Sequence, residues 1–167
     1  MCGSVLVSMA LERKRNMCDT IKQWKRLNRA LKKIENNRNR QLDEYEDDIW
    51  SFFQNCWHLK DWIKNDDTVH EKHRKSVEKD LKKIDSILMC ADLANRSKHL
   101  KLTSSRVDAD VSSRGIHIHA APQGRGGYVE YKFIITDSTG CHYDAIEIAK
   151  SSVKKWFEIL TSYNILR

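Results

Sequence analysis

Apolar side chains recur every three to four positions over most of the first hundred residues, a spacing that predicts helices. Ile21, Trp24, Leu27, Leu31 and Ile34 form one such line, with Asp19 as its N-cap and an end near the Asn36-Asn37 pair. Residues 38–65 predict a longer second helix, with Leu42, Tyr45, Ile49, Phe52, Phe53, Cys56 and Ile63 on one face. Trp50, Trp57 and Trp62 fall outside the centre of that face. A helix apolar on more than one side is central or sits at a subunit interface. Asn65-Asp66-Asp67-Thr68 predicts a turn and N-cap. A third helix is then expected from about Val69 to Leu100. It is lined thinly by Val69, His73, Val77 and Leu81, then by Ile84, Ile87, Leu88, Ala91 and Ala94.

After Leu102 the period shortens to two. Val107, Ala109 and Val111 alternate with polar residues, Ile116 to Ala120 alternates clearly, and Tyr128 to Thr136 repeats the pattern. Pro122 to Gly127 is a hairpin loop. No Gly-Lys-Ser/Thr follows it, so it is not a phosphate-binding P-loop, and Arg125 is its one candidate contact residue. Asp137-Ser138-Thr139-Gly140 predicts a turn, His142 and Tyr143 a short strand, and Asp144 with Glu147 a capping box. The last helix runs to about Tyr163, with Ala145, Ile148, Ala149, Val153, Trp156, Phe157 and Leu160 expected inward. The fold expected is mainly α: a bundle of about four helices with a small antiparallel β-hairpin or meander before the last helix. As one domain it divides into an N-terminal arm (1–18), a helical bundle (19–102), a β-hairpin region (103–143) and a C-terminal helix (144–167) that packs back on the bundle.

Charge adds a direction to this outline. The net charge of +7 is laid down in blocks: eleven Lys/Arg against three Asp/Glu in residues 1–41, two against eight in 42–67, and ten against five in 68–106. Basic blocks guide polyanions to one face, or are simply solvated helix surface. The five cysteines are scattered with no C-x-x-C pair, which argues against a disulfide framework or zinc knuckle. Cys56 and Cys90 fall on apolar helix faces and read as small core residues. No apolar run is long enough for a membrane helix. In Met1 to Leu11 the basic residues follow the apolar ones, the reverse of a signal peptide, so a cytoplasmic protein is expected. His70 and His73 flank Glu71 without a further placed ligand. No metal or cofactor is expected.

The chemistry concentrates in the stretch from Cys90 to Leu102. Asp92, Asn95 and His99 stand at i, i+3 and i+7, along the edge of the Ile84–Ala94 stripe. His58 and Asp61 share the tryptophan side of the second helix and are placed to meet that edge. Two readings follow: a hydrogen-bonded cluster that fixes helix register, or a His and an Asn facing a cleft. On the second reading His99 and Asn95 are the candidate catalytic residues. Arg96 and Lys98 are candidates for phosphate contact, and Asp92, His58 and Asp61 complete the substrate-binding set.

The segments Phe52-Phe53-Gln54-Asn55-Cys56-Trp57-His58-Leu59-Lys60-Asp61-Trp62-Ile63 and Cys90-Ala91-Asp92-Leu93-Ala94-Asn95 through Lys98-His99 together resemble the HEPN superfamily over roughly residues 19–102. The resemblance implies a helical bundle, a homodimer, and metal-independent cleavage of RNA in bacterial or phage defence and toxin systems. In that family an Arg and a His, four to six residues apart, meet across the dimer. His99 matches the His and Asn95 the polar residue that often follows the Arg. The positions for the Arg itself hold Asp92, Leu93 and Ala94, and Arg96 is too close to His99. A ribonuclease and a catalytically silent HEPN-like fold are therefore both expected from the likeness. A non-catalytic dimeric module that docks a protein partner is a further reading. So is a small-molecule or nucleotide sensor with its site between the helical and β parts.

Overall fold

The computed structural model describes residues 19–98, 105–119 and 126–166. In chain order these form α1 (Asp19–Glu35), α2 (Leu42–Asn65), α3 (Glu71–Leu81), α4 (Asp85–Arg96), β1 (Asp110–His119), β2 (Tyr128–Thr136), β3 (His142–Asp144) and α5 (Ala145–Ser162). The protein is mainly helical, with a three-stranded antiparallel sheet of order β1-β2-β3 inserted before the last helix, as its pattern predicts.

The core lies along α2. Tyr45, Ile49, Phe52, Phe53, Cys56, Leu59 and Ile63 are buried, at the spacing of one apolar face. Leu27 and Ile34 of α1, Ile87 and Leu93 of α4, and Trp156 and Leu160 of α5 join the same core. Trp156 is fully buried and its indole N–H donates to the carbonyl of Cys56 at 3.1 Å, so the last helix is pinned to the middle of α2. Burial holds the Cys56 thiol well above its usual pKa, consistent with an inert core residue.

The stretch that sequence periodicity reads as one third helix is two. Ile84 adopts an extended backbone (φ −125°, ψ 95°), and its N–H closes a turn to Leu81 at 3.1 Å. The reason lies in the two burial patterns. α3 buries only Val77 and Leu81, whereas α4 buries Ile87, Met89, Cys90, Ala91, Asp92, Leu93 and Ala94. A helix buried on most sides must run through the core, and one with a thin apolar line lies on the surface. One straight axis cannot do both.

Helix starts use local chemistry. Asp144 caps α5, accepting from the Ile146 N–H at 2.8 Å, as expected, while Glu147 pairs with Lys150. At α1 the acceptor is borrowed: Asp66, in the turn after α2, takes both the N–H and the hydroxyl of Thr20 at 2.9 Å. Asp19 is the first residue of α1 and pairs with Lys22 instead. The cap of α3 is His70, whose Nδ1 accepts from the Lys72 N–H.

The sheet packs one face on the start of α2. Tyr45 stacks on Tyr131 at 5.9 Å and meets Phe133 at 5.6 Å. Asn37 donates to the Tyr131 carbonyl at 2.9 Å, tying the α1–α2 connection to β2. β1 is an edge strand, bulged between Val111 and Ser113, and its Ile116 and Ile118 are exposed. Phe157, expected inward, is 53 % exposed; Trp156 beside it takes the core position.

Candidate functional site

The polar cluster forms where the end of α4 crosses the middle of α2. Gln54 Nε2 donates to Ser97 Oγ at 2.8 Å, and the Ser97 hydroxyl donates to the Ala94 carbonyl, closing the last turn of α4. One turn beyond Gln54, His58 lies on the same side of α2. Its Nε2 stands 3.2 Å from the ammonium of Lys98. An ammonium can only donate, so Nε2 is the acceptor and the ring proton sits on Nδ1. Burial lowers the pKa of His58, and the charge of Lys98 lowers it further. The imidazole is therefore neutral at pH 7, with its lone pair held by a cation.

Beside this pair stands Trp57. The Arg106 guanidinium lies 4.5 Å from its ring centroid and the Lys60 ammonium 4.7 Å. Lys60 also binds Asp61 at 2.5 Å, so Asp61 answers its neighbour on α2 and not the end of α4. Trp62 likewise carries Arg26 at 5.7 Å. The second apolar side of α2 thus has basic side chains of the same chain over it.

Asp92 and Arg96 are anchors. Asp92 is wholly buried and accepts the N–H groups of Arg106 (2.9 Å) and Val107 (2.8 Å), with the Arg106 guanidinium at 3.4 Å. Arg96 donates to the Ala109 carbonyl at 2.9 Å and pairs with Asp108 and Asp110 at 2.9 and 3.1 Å. Together they fasten residues 105–110 to α4, where Asp108 adopts a left-handed φ of 51°. This engagement leaves Lys98 as the freer phosphate candidate. Asn95 is half-buried on the same turn, and its side chain makes no hydrogen bond among the described residues. His99 and Arg125 lie outside the described residues.

Of the residues singled out in the sequence, the structure brings His58 and Lys98 together, and it adds Gln54, Trp57, Lys60 and Arg106. Trp57 and Lys60 were legible as immediate neighbours of His58 and Asp61. Arg106 was not, because only the buried carboxylate of Asp92 brings that loop back.

A separate cavity of about 620 Å³ opens between α4, the sheet and α5. Met89, Val107 and Ile148 give it apolar walls, and Asp85, Asp137, Asp144 and Glu147 line it with carboxylates and no Lys or Arg. Among the described residues no group of three His, Cys, Asp or Glu is placed to hold a metal ion. No described helix is long and apolar enough to cross a membrane. No family model, no curated protein and no solved structure matches the chain.

Proposed function

We propose that the chain is a HEPN-like, RNA-directed protein of the cytoplasm that cleaves RNA without a metal, in a bacterial or phage defence or toxin setting. The observation that supports this reading is the neutral His58 held against Lys98 beside Trp57 and Arg106. Such cleavage needs a base for the 2′-hydroxyl and a cation for the phosphate. A phosphate that draws Lys98 away frees the His58 lone pair. His58 then takes the 2′-hydroxyl proton, the 2′-oxygen bonds to phosphorus, and the bond to the 5′-oxygen breaks. The imidazolium returns its proton to that departing oxygen, leaving a 2′,3′-cyclic phosphate. His99 follows Lys98 directly and is the second candidate for the same proton transfer. The test is incubation of total RNA with wild type, His58→Ala and His99→Ala. Loss of cleavage by about 10²–10⁴-fold in a variant that keeps its melting temperature supports the reading. Absence of cleavage by wild type overturns the catalytic part.

The cavity favours a second reading, a sensor with its site between the helical and β parts. Its carboxylate lining suits a small organic cation and disfavours a nucleotide. A discrete co-purifying ligand, released on denaturation and identified by mass spectrometry, tests it.

A further inference from the structure

We infer that α1 and α5 together form a docking surface for single-stranded nucleic acid, separate from the cluster at His58. Phe157 is 53 % exposed and lies against Trp24 of α1, with ring centroids 6.5 Å apart. Trp24 is itself only half-buried, and nothing among the described residues covers Phe157. Trp156, the residue before it, holds the core position, which leaves Phe157 on the outer side of α5.

The charges around this pair select the partner. Lys25, Arg29 and Lys32 stand at i, i+4 and i+7, a single exposed stripe on α1 next to the Trp24 stripe. None of the three is ion-paired or hydrogen-bonded through its side chain among the described residues, whereas neighbouring Lys22, Arg26 and Lys33 all have partners (Asp19, Gln23 and Asp48). On α5, Lys154 stands at i−3 from Phe157, exposed and likewise without an ion-pair partner among the described residues. The acids close by on α5, Glu147 and Glu158, are taken by Lys150 and Lys155. Four cations with no ion-pair partner among the described residues stand on the two helices that carry the aromatic rings. Cations for phosphates with rings for base stacking are the two parts by which single strands are bound without sequence preference. A duplex keeps its bases stacked inside, so the rings favour a single strand.

The experiment is fluorescence anisotropy of a labelled twelve-nucleotide oligo(U), and of oligo(dT), with the full chain across a salt series. Phe157→Ala should weaken binding about 5- to 150-fold, the range of one lost base stack, while Phe157→Tyr retains it. Lys25→Ala with Arg29→Ala and Lys32→Ala should weaken binding more than tenfold at low salt. It should also flatten the log–log salt slope by about 2. Variants at Lys98 and His58 separate this surface from the proposed cleavage site. If they abolish binding while the α1 and α5 variants bind as wild type, the surface inference fails and the cleavage reading stands. If wild type and the Lys98 variant bind equally and cleave nothing, the reverse holds. Phe157-dependent binding to anionic phosphatidylserine vesicles with none to either oligonucleotide overturns the inference in favour of a membrane surface. A Phe157-dependent dimer with no oligonucleotide binding overturns it in favour of a second copy of the chain.

Discussion

The ammonium of Lys98 donates to Nε2 of His58 across 3.2 Å, from the turn that ends α4 to the middle of α2. A cation held on an imidazole lone pair keeps that ring neutral and fixes its tautomer. His58 should therefore titrate below the ordinary histidine value of about 6.5 in an NMR pH series. Lys98→Met should move it part of the way back, because burial is the larger cause and persists. The sign follows for stability. The unfolded chain binds the His58 proton first as pH falls, so this residue makes the folded state less stable between about pH 6.5 and the folded pKa, and no further below it. A His58→Gln protein should lose that segment of the pH–stability curve.

Asp92 tests what holds the loop. Asp92→Ala strands the N–H groups of Arg106 and Val107, and should cost about 3 kcal/mol by urea denaturation. Asp92→Asn keeps one acceptor oxygen and should cost less. Equal stability of wild type and the Ala variant would show that the loop finds other partners.

Arg96 separates folding from nucleic-acid contact. Its three links to residues 108–110 predict that Arg96→Ala lowers the melting temperature while leaving the salt slope of RNA binding unchanged. Lys98→Ala should do the opposite, reducing the slope with little change in melting. Exchange of these two behaviours would return Arg96 to the phosphate.

Tyr163 closes the C-terminal end. Its hydroxyl donates to Asp80 at 2.5 Å, its ring stacks on His73 at 4.1 Å, and burial together with Asp80 pushes its pKa up to about 12. Unfolded tyrosine ionises near 10, so this residue's stabilisation is complete below about pH 10 and is lost by about pH 12. Tyr163→Phe should remove that alkaline loss and cost about 1 kcal/mol at pH 7, read by thermal melts at both pH values.

The homodimer is expected from the second apolar side of α2, but the exposed apolar residues lie elsewhere. Trp57 and Trp62 carry Arg106, Lys60 and Arg26 of the same chain, whereas Ile116 and Ile118 stand exposed on the edge strand β1. An open edge with two exposed isoleucines is a template for a second copy. If a dimer forms there, light scattering at micromolar concentration should show it for wild type and a monomer for Ile118→Lys. A dimer unaffected by that change would point away from β1.

The apolar periods carried most of the fold, because each helix except α3 buries a full face and β2 alternates cleanly, whereas β1 is bulged and mostly exposed. They missed the break at Ile84, since the apolar line runs unbroken through it and only the burial of α4 on nearly all sides demands a new axis. They placed Phe157 inward because Trp156 and Phe157 both fall near the same stripe, and only packing decides which one enters. At the site, spacing singled out His58 on the side of α2 that meets the end of α4, and Lys98 was named for phosphate contact, not as the partner of His58. Arg106 was not, because a loop residue reaches the cluster through the carboxylate of Asp92, and no period records that.

The grip of Asp92 and Arg96 on residues 106–110 has a mechanical consequence. A connector without helix or strand is ordinarily a joint, but here it is riveted to the last turns of α4 at several points. Its Arg106 and Val107 amides should resist deuterium exchange as long as amides inside α4, far longer than an irregular segment usually does. A load placed on the meander is then transmitted to the end of α4. The start of β1 and the turn that carries Lys98 are thereby tied to each other through Asp92 and Arg96.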